Sequence, residues 1–254
     1  MEGKEYIFGI RAVIEAIESG KDIDKVLVKN DVGGDLMNEL LGVARRYGVP
    51  VNRVPVERIN RVTRKNHQGV LAFLSAVTYA NLSNLVPAMF EDGLNPFVSV
   101  LDGITDVRNF GAIARTCECA AVNCIVIPER GSVSVNGDAV KTSAGALHYV
   151  PVCREKNITS AIKFMKNCGI KVIGASEKSA VNYTKCDMTG PIAMVLGAED
   201  KGISPEVLKL CDEYVAIPEF GQINSLNVSV AGGIMIYEAV RQRMADSQTV
   251  EQGQ

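Results

Sequence analysis

Three polar segments carry residue types and spacings that could do chemistry. The first, Leu101–Thr116, contains Asn109, Gly111 and Arg115. It turns polar just beyond an apolar strand and then opens a helix, which is where open α/β sheets hold their ligands. On local grounds Asn109 reads equally well as a helix N-cap, and Arg115 as a surface cation. The second segment, Leu196-Gly197-Ala198-Glu199-Asp200-Lys201-Gly202, brackets a charged turn with glycines. An ordinary β–α loop would look the same, but a backbone that approaches a ligand closely needs glycine because it lacks a Cβ. In the third segment a strand ends at Ile217-Pro218, a glycine-containing loop follows, and a helix opens with Ser225, Asn227 and Ser229. Ser and Asn are poor helix formers, yet a helix N-terminus with free N–H groups suits an anion and side-chain hydrogen bonding.

Common alternatives are missing. No G-x-G-x-x-G follows a strand, and neither G-x-x-x-x-G-K-[ST] nor G-x-S-x-G occurs, so the familiar dinucleotide site, the P-loop and the hydrolase elbow are excluded. The seven cysteines form no C-x-x-C pair, and His67 and His148 lie away from the Cys117–Cys124 cluster. No metal site is expected, and the thiols read as buried and reduced in a cytosol. Hydrophobic residues make up 47% of the 254, enough for a proper core in one large or two modest domains. No segment has the length and apolar character of a membrane span, and Met1–Glu5 does not lead into a signal-like run, so a soluble cytoplasmic protein is expected with no membrane partner.

The formal charge of −2 argues against attachment to nucleic acid by bulk charge. Locally the balance differs. Between Leu41 and Gly69 stand Arg45, Arg46, Arg53, Arg58, Arg61, Arg64 and Lys65 against the single acid Glu57. Such a stretch is either a solvated face or a footprint for phosphates, and its arginine content favours RNA.

The positioning elements follow from periodicity. Helical spacing marks Gly9–Glu18 and Leu36–Tyr47; Lys25–Lys29, Val49–Val54 and Val70–Val77 read as strands, making a small α/β unit over residues 1–79. The Pro, Gly and Asn content of residues 80–95 predicts a linker. Beyond it, strands are predicted at Pro96–Leu101, Cys124–Ile127, Ile170–Ala175, Ile192–Leu196 and Tyr214–Ile217. Helices are predicted at Phe110–Ala121, Ile158–Asn167, after Ser204-Pro205, and over Leu226–Arg243. The alternation predicts an α/β fold with a mostly parallel sheet over residues 96–245, followed by a flexible polar tail at 246–254.

In their order and spacing the three segments resemble the SpoU family of RNA ribose 2′-O-methyltransferases, within the SPOUT superfamily. The motif Asn-x-Gly-x-x-x-Arg falls on Asn109, Gly111 and Arg115. Leu-Gly-x-Glu-x-x-Gly falls on Leu196, Gly197, Glu199 and Gly202. Ile-Pro followed by Ser-Leu-Asn-Val-Ser-x-Ala falls on Ile217, Pro218 and Ser225 to Ala231. Phe8–Val13 and His67–Val70 are similar to the substrate-binding domain of such enzymes, a layout like that of the RlmB-type 23S rRNA guanosine-2′-O-methyltransferases. Arg108 and Phe110 beside Asn109, and Glu219-Phe220 after Pro218, depart from the commoner pattern without removing a motif residue.

The resemblance implies a small RNA-binding domain, a SPOUT domain with a C-terminal trefoil knot, and a homodimer with a shared active site. It implies S-adenosyl-L-methionine held chiefly by backbone groups of Gly197, Ile217 and Leu226, with Leu196, Gly202 and Pro218 nearby. The implied reaction is methylation of a ribose 2′-hydroxyl, in a 23S rRNA guanosine; tRNA ribose methylation and a non-catalytic RNA-binding protein are the alternatives. It gives the proton-accepting step to Arg115. Because a guanidinium stays protonated, a second role is open, in which Arg115 binds the target phosphate and water or phosphate takes the proton. Glu199 would orient Arg115 or Asn109, while Ser225 and Asn227 would hold Arg115 or the phosphate. In the small domain Arg58, Arg61 and Arg64 are expected on RNA, and His67 and Gln68 are expected to position the chain or touch RNA.

Overall fold

The computed structural model describes residues 6–223 and 225–252. They fall into two compact units. The first reaches to Thr78 and includes Ser134–Asp138; the second comprises Tyr79–Val133 and the chain from Ala139 onward.

In the first unit the order is β1 (Tyr6–Phe8), α1 (Ile10–Glu18), β2 (Ile23–Lys29), α2 (Asp35–Arg46), β3 (Val51–Val54), α3 (Val56–Asn60) and β4 (Val70–Leu74). The sheet order is β1-β4-β2-β3; β4 is antiparallel to β1 and β2, and β3 is parallel to β2. Val13, Ile14 and Ile17 of α1 and Met37, Leu40 and Val43 of α2 cover Val26, Val28, Val70 and Ala72 on one sheet face. Their i, i+3, i+4 spacing is what makes both helices legible in the sequence. The opposite face is covered in part by Ile59 of α3, packed on Leu27 and Leu71.

The second unit begins with β5 (Tyr79–Ala80), α4 (Leu82–Glu91), β6 (Phe97–Asp102), α5 (Val107–Cys119) and β7 (Cys124–Pro128). It continues with α6 (Gly137–Thr142), which starts in the segment shared with the first unit, then β8 (Val152–Glu155), α7 (Ile158–Asn167) and β9 (Lys171–Ala175). It ends with β10 (Ile192–Gly197), α8 (Pro205–Leu208), β11 (Glu213–Val215) and α9 (Val228–Gln252). All neighbours in the sheet β11-β9-β10-β6-β7-β8-β5 are parallel. From β6 the chain moves outward through β7 and β8, then returns to β9 and β10 on the other side. The strand order therefore reverses between β6 and β10, and the crevice beyond their carboxyl ends is the natural ligand position in such a sheet.

Two sequence expectations are corrected. Residues 80–95 are not a linker: Asn81 caps α4 by accepting the Asn84 N–H at 3.1 Å, and Leu82, Val86 and Met89 are buried in the core of the second unit. An asparagine that signals a turn also signals a helix start, and here the second use applies. The last helix begins at Val228, not Leu226, and runs to Gln252, through most of the expected tail. After Gly233 no glycine or proline interrupts the chain until Gly253, so no residue type stops the helix earlier. Gly253 and Gln254, the rest of that tail, lie outside the described residues. Among the described residues no helix is long and apolar enough to cross a membrane.

Arg243 anchors α9. Its guanidinium donates to the carbonyls of Met188, Asn95, Pro96 and Gly190 at 2.6–3.3 Å and lies 4.8 Å from the Phe97 ring centroid. Arg243→Ala leaves several of these carbonyls without a charged donor. Hydrogen bonds to charged groups contribute about 1.5–3 kcal/mol, so the variant is expected to lose at least about 2 kcal/mol in denaturant unfolding.

Candidate active site

The first turn of α5 is capped by Asp106, not by Asn109. Asp106 Oδ1 accepts the Arg108 N–H at 2.6 Å and the Asn109 N–H at 3.2 Å. That leaves the Asn109 side chain free to reach across the crevice. Gly111, near the start of the same helix, meets α6: a Cβ there would overlap the Thr142 side chain and stand 2.8 Å from its carbonyl carbon. The motif glycine is thus a packing requirement.

The loop after β10 folds back on itself. Ala198 and Gly202 exchange N–H···O bonds of 3.1 and 2.7 Å, which carries Glu199 on a tight turn. Gly202 has φ +67°, and a Cβ on Gly197 would overlap the Gly202 carbonyl carbon and the Ile203 nitrogen. Asp102, at the end of β6, ties the loop down by accepting the Ser204 N–H at 2.7 Å.

Asn227 stands just before α9 and joins the three segments. Its Oδ1 accepts from the Ser229 N–H at 3.0 Å and the Ser229 hydroxyl at 2.6 Å. Its Nδ2 donates to Asn109 Oδ1 at 3.1 Å and to Glu199 Oε1 at 2.8 Å. Asn109 Nδ2 in turn donates to the same Glu199 Oε1 at 2.6 Å. With two acceptor and two donor positions all used, the Asn227 amide has one orientation. Asn109, Glu199 and Asn227, up to 118 residues apart in sequence, form one closed hydrogen-bonded triangle.

Two cavities adjoin these segments. One, of about 240 Å³, is lined by Gly103, Ile104, Asp106, Asn109, Ala198 and Glu199 among others. The other, of about 90 Å³, is lined by Ser176, Glu177, Ile217, Glu219, Ser225, Leu226 and Ala231 among others.

A model described as the SpoU rRNA Methylase family matches residues 96–237, more than half the chain. The chain belongs to the SpoU rRNA methylase family. It is an RNA methyltransferase by that membership. A second model, for RNA 2′-O ribose methyltransferase substrate binding, matches residues 6–80. A putative TrmH family tRNA/rRNA methyltransferase from Staphylococcus saprophyticus is 35% identical over 93% of this chain and 95% of its own length. Among solved structures, an AdoMet-bound rRNA methyltransferase from Sinorhizobium meliloti aligns with a TM-score of 0.59 at 24% identity, over 93% of this chain and 86% of that one. The A. aeolicus TrmH/SpoU tRNA modifying enzyme aligns with a TM-score of 0.55 at 28% identity, over 65% of this chain and 86% of that one.

Within this SpoU enzyme the expected site residues separate into groups. Asn109, Glu199 and Asn227 converge. Glu199 bonds to Asn109, one of the two partners expected for it, and to Asn227, and among the described residues neither Glu199 nor Asn227 bonds to Arg115. Arg115 lies six residues along α5, about 9 Å up the axis and on a different face of the helix, and its side chain is exposed. Ser225 lines the smaller cavity outside the triangle. Of the residues expected at the cofactor, Ile217 and Leu226 line that cavity, and Pro218 is exposed beside Ile217. Leu196 is buried; a Cβ on Gly232 of α9 would come within 2.8 Å of its Cδ1. Gly197 and Gly202 shape the loop.

In the small unit Arg58, Arg61, at the end of α3, and Arg64 are all exposed. His67 and Gln68 serve the fold: His67 Nδ1 accepts the Gly69 N–H at 3.0 Å, so its Nε2 carries the proton donated to Asn60 Oδ1 at 2.9 Å. Gln68 Oε1 accepts the Ile10 N–H at 3.2 Å, at the start of α1. Sequence reasoning misses Asp102 and Glu177. Asp102 is signalled only as the acid that ends an apolar strand, and Glu177 by no motif at all.

Proposed function

We propose that the chain transfers a methyl group from S-adenosyl-L-methionine to the 2′-hydroxyl of a guanosine ribose in 23S rRNA. The observation that carries this reading is the closed Asn109–Glu199–Asn227 triangle at the strand-order reversal, bordered by two cavities. The smaller cavity suits the cofactor: Ile217, Leu226 and Ala231 offer apolar walls, and the carboxylates of Glu177 and Glu219 suit ribose hydroxyls and a cationic group. When bound, S-adenosyl-L-methionine supplies an electrophilic methyl group on a positively charged sulfur.

The protein's part is alignment and proton accounting. The triangle holds the motif loops in fixed relation. Glu199 Oε1 is occupied by the two amides, which leaves Oε2 to accept the hydroxyl proton, directly or through water. Arg115, charged and forked, binds the phosphate beside the target ribose.

The dimer, the knot and the location belong to the same proposal. Val230, Tyr237 and Met244 recur every seven residues along α9 and are 50–60% exposed, an apolar stripe that suits a second copy. Arg115, standing apart from the triangle, suits a site shared between two copies, and the knot follows the family fold. The seven free thiols suit the cytoplasm. Ribosomal RNA is favoured over tRNA because the substrate-binding match covers residues 6–80, whereas the tRNA-modifying structure aligns with only 65% of the chain.

The test is transfer of tritium from labelled cofactor into purified 23S rRNA, 16S rRNA and tRNA, followed by nucleoside analysis. Label in 2′-O-methylguanosine from 23S rRNA is expected; label confined to tRNA, or on a base, contradicts the reading. Reversing Arg58, Arg61 and Arg64 to Glu is expected to weaken rRNA binding. It should also flatten the plot of log affinity against log salt by about 0.7–0.9 for each phosphate no longer neutralised, as filter binding across a salt series would show.

A further inference from the structure

The sheet face of the small unit that points away from α1 and α2 carries a row of side chains that methyl transfer does not use. Tyr6 of β1 lies opposite Phe73 of β4, and Phe73 lies opposite Lys25 of β2. Phe8 continues the same face, its ring centroid 6.3 Å from that of Tyr6. Lys25 Nζ stands 5.9 Å from the Phe73 centroid, and Lys65 Nζ 5.9 Å from that of Phe8. The short helix α3 leaves Tyr6, Phe8 and Phe73 only half-buried. Beside Phe73 is a cavity of about 230 Å³, lined also by Lys25, Arg58, Ser134 and Asn136. Lys25 Nζ bonds to Ser134 Oγ and lies 3.7 Å from the Asp24 carboxylate.

An aromatic ring, an exposed guanidinium and several donors and acceptors in one small cavity match the parts of a single nucleotide. Single-stranded RNA is read in this way, with bases stacked on sheet aromatics and phosphates met by Arg or Lys, whereas a paired base hides its faces. The cavity is below the roughly 300–1,000 Å³ of sites that enclose drug-sized molecules, which fits one base with its phosphate outside. A purely apolar partner would have to desolvate Lys25 and Arg58.

We propose that this cavity receives one unstacked nucleotide of the RNA substrate, with its base against Phe73 and its phosphate at Arg58. The proposal rests on the reading of the chain as an enzyme that acts on RNA.

The test compares the full-length protein with its Phe73→Leu and Phe73→Trp variants. Each is titrated into a fluorescein-labelled ten-nucleotide single-stranded oligouridine and into an RNA duplex of the same length. Phe73→Leu is expected to weaken single-strand binding about 5- to 100-fold while changing duplex binding less than about twofold, and Phe73→Trp is expected to restore it. Single-strand affinity within twofold of wild type in a folded Phe73→Leu protein overturns the proposal. Should that variant not fold, photo-cross-linking of the wild type to the same strand carrying 5-iodouridine decides. Adducts on the Phe73 or Tyr6 peptides support the cavity, and adducts confined elsewhere overturn it. The tritium assay is independent: methyl transfer can persist while the cavity proposal fails, and stacking can persist where no methyl is transferred.

Discussion

Arg115→Ala is expected to lower kcat for methyl transfer by at least about 10²–10³-fold, the scale seen when one preorganised charge-stabilising donor is removed. The melting temperature and the cofactor dissociation constant are expected to stay close to wild type. The side chain is exposed, and α5 is packed through Phe110, Ile113, Ala114 and Cys117, so removing the guanidinium takes little from the fold. The Asn109–Glu199–Asn227 triangle does not include it, so the walls of both cavities remain. Arg115→Lys distinguishes charge from shape. An ammonium keeps the positive charge but not the planar fork that grips a phosphate with two parallel bonds, so this variant is expected to fail nearly as badly. Single-turnover kinetics with saturating cofactor are the measurement. Near-normal turnover in Arg115→Lys would refute the fork, and near-normal turnover in Arg115→Ala would refute the assignment.

Gly197→Ala is the second large effect, and its origin is steric. The new methyl would occupy the space of the Gly202 carbonyl carbon and the Ile203 nitrogen, which are backbone atoms that no rotamer change can move. The paired Ala198–Gly202 turn must open, which takes Glu199 away from Asn109 and Asn227 and strains the Ser204–Asp102 bond. Overpacking of a tight site costs about 1–3 kcal/mol, and more where backbone must shift, so a loss of about 3 kcal/mol in denaturant unfolding is expected. Calorimetric cofactor affinity is expected to fall with it. A folded Gly197→Ala protein of wild-type stability would show that the loop has a second packing available.

The motif residues are visible in sequence because their chemistry and spacing are unusual; their partners are not. Asn109 reads equally as a helix cap, and only the Asp106 cap shows why its amide is free to cross to Glu199. Periodicity locates α1, α2 and most of the buried strands, since one apolar face dictates the repeat, but not β8 with its two buried residues Val152 and Cys153. It misses α4, where Asn81 and Pro87 suggest a linker, and it misses α3 and α6, which have five and six residues and too few turns to display a period. It also misses β1, three residues close to the N-terminus, although Tyr6 and Phe8 extend the aromatic face that Phe73 begins. Polar composition places the end of α9 too early, while the absence of glycine and proline before Gly253 carries the better signal.

The central claim, ribose methylation of one 23S rRNA guanosine through Arg115 and the Asn109–Glu199–Asn227 triangle, is most directly tested by mapping 2′-O-methyl groups across rRNA and tRNA. The cells compared contain the wild-type chain, the Arg115→Ala chain, or neither. The prediction is a single 23S guanosine whose ribose methyl is present with the wild type and absent in the other two. Identical maps in all three, or a change confined to tRNA, would contradict it.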